Sequence, residues 1–176
     1  TCKTIELKMA YLRILCFGDK EIAVPLIMEN LSNCPEALIT EAIQALIQLK
    51  LHAQIPHKFL TQYSSSTHYG LACAVAQVYA LNYNSDKDKD TLKIGISIIS
   101  FLMNEQAKEA KLAAIKAAYT FNSDPRIVDW IGSMLLSETD EKVCENAINF
   151  LSHHTTDNVK KLLIKVVNRD QSKLKV

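Results

Sequence analysis

The chain has 176 residues, 48% hydrophobic and 22% charged, with a formal net charge of +1. That composition is ordinary for a globular domain with room for a real core. A near-neutral balance excludes a chain-wide basic surface, and no apolar run approaches the roughly 18 residues needed to cross a bilayer.

The predicted elements are helices that come in pairs. The first contains Ala10 with Tyr11, Ile14 and Phe17 at +1, +4 and +7, then Gly18 as a stop; Asp19-Lys20-Glu21 opens a second helix to about Leu31. Pro35 precedes the next, with Ala42, Ile43, Leu46 and Leu49, and Pro56 opens a stunted partner through about Tyr63. After Ser64 to Thr67 come Ala74, Val75, Val78 and Leu81, then a polar insertion from Asn82 to Asp90. Asp90-Thr91 opens a helix to about Met103 through Ile94 to Phe101, a β-branched run whose Leu92, Ile96, Ile99 and Met103 keep helical spacing. The fourth pair has Ala114, Ile115, Ala118 and Phe121, followed by Asp124-Pro125-Arg126, an N-cap and a proline at the first helical position, to about Leu136. Thr139-Asp140 opens the last pair, with Ala147, Ile148, Leu151 and His154, and Asp157 opens its second helix to about Asn168.

The five alanines are spaced by 32, 32, 40 and 33 residues, the insertion accounting for the long interval. Offsets 0, +1, +4 and +7 share one side of a helix. A period of this size marks stacked helical repeats. No alternating run or two-residue glycine turn points to a strand.

The five cysteines are widely spaced, and Cys16, Cys73 and Cys144 sit beside apolar helical positions. Buried thiols are expected, with a reducing, cytoplasmic compartment. The helix at Ala10 leaves little polar surface, whereas a terminal repeat has a polar outer face. A further repeat before Thr1, and a chain that is a fragment of a longer one, are therefore expected.

Asp124-Pro-Arg-Ile-Val as a helix start, and Glu36-Ala-Leu-Ile-Thr-Glu-Ala-Ile-Gln-Ala-Leu and Asp140-Glu-Lys-Val-Cys-Glu-Asn-Ala-Ile-Asn-Phe-Leu as repeat cores, resemble the HEAT-repeat family over nearly all 176 residues. The resemblance implies an all-α, right-handed α-solenoid of about five antiparallel pairs in a single domain, 1–176. Armadillo-type repeats are the lesser alternative, because a third helix per unit has little room. The family includes scaffolds, transport receptors, phosphatase subunits and a few enzymes. Its second helices usually line the concave face, which would place Arg126 and Trp130 there.

The leading functional expectation is a scaffold or adaptor that binds another protein or peptide through Arg126, Asp129, Trp130 and Ser133. Trp130 is the only tryptophan and flanks the predicted stripe of Ile127, Val128, Ile131, Met134 and Leu135; tryptophan and arginine are favoured contact residues. The alternative is binding to nucleic acid or another acidic surface through Lys161, Lys165 and Arg169, on a last helix predicted to bury Val159, Leu162, Leu163, Val166 and Val167. Residues 159–176 carry +5 while the rest of the chain carries −4. A lesser reading is a HEAT-like DNA-glycosylase type of enzyme, for which Asp129-Trp130 would be the acid beside an aromatic. No catalytic, metal or cofactor site is expected. His153 and His154 point about 100° apart on a helix, Tyr63, His68 and Tyr69 around the serine cluster form no positioned base, and the four glycines are dispersed.

Overall fold

A computed structural model describes residues 34–82, 89–121 and 124–173, with side chains on the last helix described as far as Asn168. The first predicted pair (Ala10; Asp19 to Leu31), Cys2, Cys16, most of the insertion at 82–90 and Lys175 lie outside the described residues. Within them the chain forms eight α-helices and two 3₁₀ turns, with no strand. Its residues group into two compact units, 1–98 and 99–176.

In the first unit, α1 (Glu36–Gln48) follows Pro35, whose carbonyl accepts from Leu38 N and Ile39 N at 2.9 and 3.1 Å. It buries Leu38, Ile39, Ala42, Ile43, Ala45 and Leu46, one continuous stripe. The helix ends at Lys50, which takes φ 59°. Lys50 N donates to Ile47 O (3.0 Å) and Leu51 N to Leu46 O (2.8 Å), the Schellman closure. The stop slot of the repeat, held by glycine or asparagine in three other copies, is thus left-handed here with a lysine in it.

A 3₁₀ turn (His52–Gln54) leads to the six-residue α2 (His57–Gln62), as short as Pro56 and the serines predict. The serine cluster shapes the next helix start. Ser66 Oγ donates to Glu36 Oε1 at 2.8 Å, His68 N donates to Ser66 Oγ at 3.0 Å, and His68 Nδ1 accepts from Leu71 N at 3.2 Å. α3 (Tyr69–Asn82) buries Leu71 to Ala76, Val78 and Tyr79, covering most of its circumference, and packs on α1. Gln44 Nε2 donates to Gln77 Oε1 at 2.9 Å across that contact.

α4 (Lys89–Asn104) contains the IGISIISF segment, so helical spacing prevails over β-branching. The boundary between the units falls inside it, after Ile98.

In the second unit, α5 (Lys108–Ala118) passes through a 3₁₀ turn (Tyr119–Phe121) toward α6 (Pro125–Ser137), capped by Asp124 Oδ1 accepting from Arg126 N at 3.0 Å. α7 (Glu141–Ser152) is capped by Asp140, whose Oδ1 accepts from Val143 N at 3.1 Å. α8 (Asp157–Lys173) outruns the predicted end near Asn168. α5 packs on α7, α6 on α7, and α6 on α8. Gly132 permits the last approach, since a Cβ there would overlap Leu162 Cδ1.

The repeat alanines Ala42, Ala74, Ala114 and Ala147 are wholly buried. They bring first helices together, α1 to α3 and α5 to α7, and the residues at +4 (Leu46, Val78, Ala118, Leu151) are equally buried. Two slots depart from the expected burial: Ile148 at +1 and Leu81 at +7 are exposed. On α8, Val159 and Val166 are buried and Leu162 and Leu163 half-buried, but Val167 is exposed (55%). It looks outward with Ile164 (60%), three residues away on the same side of the helix. The inward stripe expected on α8 is therefore narrower than its sequence suggests.

Candidate partner-binding groove

Trp130 is half-buried on α6 and lines an open groove of about 680 Å³ in the second unit. Ser133, Met134 and Ser137 follow it along α6 on the helical spacing, and Met103, Asn104 and Gln106 approach from the end of α4 and the link beyond. Ser100 and Glu105, with Lys111 of α5 and Glu138, complete the lining. The result is an indole and two adaptable thioethers amid hydroxyl, amide and charged groups, a surface that can bury an apolar anchor and hydrogen-bond its surroundings.

Glu138 fixes one end of the groove. It is only 8% exposed and lies 2.6 Å from Lys111 Nζ, itself 19% exposed. Its Oε1 accepts from Thr139 N (2.8 Å) and Asp140 N (2.9 Å). The Asp140 N–H, then the Lys111 ammonium, hold the Glu138 carboxyl below the usual range against the opposing effect of burial. Asp140 accepts from Lys108 at 2.8 Å, and that contact, then the Val143 N–H, lowers its pKa as well. Two lysines one turn apart on α5 thereby clamp the link between α6 and α7. Sequence reasoning found Asp140 as a helix start but missed Glu138, Lys111 and the methionines. Lys108 and Lys111 at i, i+3 facing Glu138-x-Asp140 were the available signal.

The four residues expected to act together do not converge. Trp130 and Ser133 share the groove. Arg126 folds back on its own cap residue, Nε to Asp124 Oδ1 at 3.0 Å and Nη2 to Oδ2 at 2.7 Å. This bidentate pair lowers the pKa of Asp124 and raises that of Arg126. Asp129 is exposed and lines a different cleft, with Val128 and His154. Asp129 and Trp130 are therefore not an acid and an aromatic on one surface.

On α8, Lys161 and Lys165 are exposed beside Ile164, and Lys160 lies 3.5 Å from Asp157. Arg169 is on the same helix with its side chain outside the described set. Cys73 is buried and Cys34 and Cys144 half-buried, Cys144 Sγ lying 3.7 Å from Glu138 O. Among the described residues no group of three His, Cys, Asp or Glu is placed to hold a metal ion, and no described helix is long and apolar enough to cross a membrane.

Comparison with protein-family models, with curated proteins and with solved structures gives no significant match.

Proposed function

We propose that this chain is a scaffold or adaptor, a right-handed α-solenoid of HEAT-like pairs that binds another protein or peptide, and that the Trp130 groove is its principal contact. The observation that carries the reading is the half-buried indole set in an open groove with Met103 and Met134 and ringed by Asn104, Gln106, Ser133 and Ser137. Such a surface offers a large apolar anchor site with adaptable neighbours and a polar rim, as interface centres do. The solenoid is supported by the buried repeat alanines and by the packing of α5 on α7 and α6 on α8. A reducing, cytoplasmic setting belongs to the same proposal.

Peptides selected from a random library on the wild-type chain test it. Because Trp130 is the sole tryptophan, their binding should shift its fluorescence, and Trp130→Ala should weaken binding by about 2 kcal/mol or more with little change in the thermal transition. Selected peptides that leave the emission unmoved and bind the variant equally well would sink the groove as the contact.

A second reading has its own observation. Lys161 and Lys165 are exposed beside the outward-facing Ile164 and Val167, which favours contact with an acidic surface or nucleic acid. Retention on heparin or DNA that falls steeply with salt, and is reduced by Lys161→Gln with Lys165→Gln, would support it; no retention at low salt would remove it.

A further inference from the structure

The second unit carries a second cleft, of about 300 Å³. α6 contributes Val128 and Asp129, the end of α7 contributes Leu151 and His154, and the first turns of α8 contribute Val159 and Leu162. His154 stands where the earlier repeats have Phe17, Leu49, Leu81 and Phe121. Its imidazole packs against Phe150 at a centroid separation of 4.8 Å. Its Nε2 is shielded from water and has no hydrogen-bond partner among the described residues. Leucine or phenylalanine would fill this slot without leaving a buried polar atom unsatisfied, so packing does not account for the histidine.

The charge of the cleft is one-sided. Among the described residues its lining includes two carboxylates, Asp124 and Asp129, and no lysine or arginine. Asp124 is engaged by Arg126 at 2.7 Å. Asp129 is exposed at the rim and forms no ion pair with a described residue. A cleft that joins Val128, Leu151, Val159 and Leu162 to the polar Thr156 and Asn158, with a carboxylate at its rim that no described cation pairs, suits a side chain that has a hydrocarbon stem and a cationic head.

We propose that this cleft receives an arginine side chain of a partner protein, its stem against Val128, Leu151, Val159 and Leu162 and its guanidinium at Asp129. The planar imidazole in the wall favours arginine over lysine, because guanidinium is flat, weakly hydrated and stacks on aromatic faces. The proposal rests on the reading of the chain as a partner-binding scaffold and adds the chemistry of a second contact point to it.

The test uses the full chain and small probes, N-acetyl-arginine N-methylamide and its neutral isostere N-acetyl-citrulline N-methylamide, followed by methyl NMR. The arginine probe should shift the methyl resonances of Val128, Leu151, Val159 and Leu162 in a saturable way. The citrulline probe should bind about tenfold more weakly, and Asp129→Asn should weaken the arginine probe by a similar factor, the worth of one charge-assisted contact. Unmoved cleft methyls at the highest soluble concentration, equal binding of the two probes, or undiminished binding to Asp129→Asn would each overturn it. Trp130 emission reports the groove and these methyls report the cleft, so failure of one reading is seen apart from failure of the other.

Discussion

Single residues carry the departures from the repeat, and each has a measurable cost. Lys50 adopts a left-handed backbone that disfavours any side chain. Lys50→Gly is expected to raise stability by about 0.5–1 kcal/mol, the relief of that strain less the added freedom of the unfolded chain, as read by urea denaturation. His154 leaves a buried ring nitrogen without a hydrogen-bond partner among the described residues. His154→Leu restores the apolar slot and should stabilise by about 1 kcal/mol; a drop in stability would show the imidazole makes a contact the fold needs. Trp130 differs from both in being half-buried at a groove wall, which is why its truncation should be felt in binding more than in folding. Its flanking position was legible from the angular offset to the Ile127, Ile131 and Leu135 stripe. Its neighbours Met103 and Gln106 were not, because they lie on another element.

Elements in the second unit are joined by an ionic clamp as well as by apolar contact. Lys111 and Glu138 meet at 2.6 Å with both side chains mostly shielded, and Glu138 also satisfies two amides ahead of α7. Glu138→Ala orphans all three donors and should cost about 2–3 kcal/mol, whereas Lys111→Met keeps the amide bonds and should cost about 1 kcal/mol. A double-mutant cycle between them should show clear coupling; additive effects would mean the pair is not a joint. The helices themselves were largely legible, down to the stunted α2 and the Asp124 and Asp140 caps, because those signals are local. The outward turn of Ile164 and Val167 was not, since a helix with apolar residues on more than one side leaves its buried side to be chosen by its neighbours.

The whole molecule contains two compact units with different titratable weak points. Asp124, Glu138 and Asp140, all in the second unit, have lowered pKa values. A carboxyl whose folded pKa is depressed contributes stability that is complete above its unfolded value near 4 and is lost as pH falls through the folded value. In the first unit burial depresses His52 below its usual 6.5. The same sign holds: its contribution is present above about 6.5 and is lost as pH falls toward the lower folded value. Amide exchange, corrected for intrinsic rates, should therefore show protection beside His52 falling once pH drops below about 6.5, and protection at the Asp124, Glu138 and Asp140 contacts falling only below about 4. Loss of protection in the second unit first, between pH 7 and 5, would contradict this.

What the sequence determined by itself was the helical period and the buried alanines, because both follow from the 3.6-residue turn and from the space two packed backbones leave between them. Tertiary structure alone decided which polar residues meet. Asp129 and Trp130 opened onto different clefts, Gln44 met Gln77 between α1 and α3, and Lys111 found Glu138 across the fold. Long side chains choose partners by distance and desolvation in three dimensions, and a spacing along one helix does not contain that information.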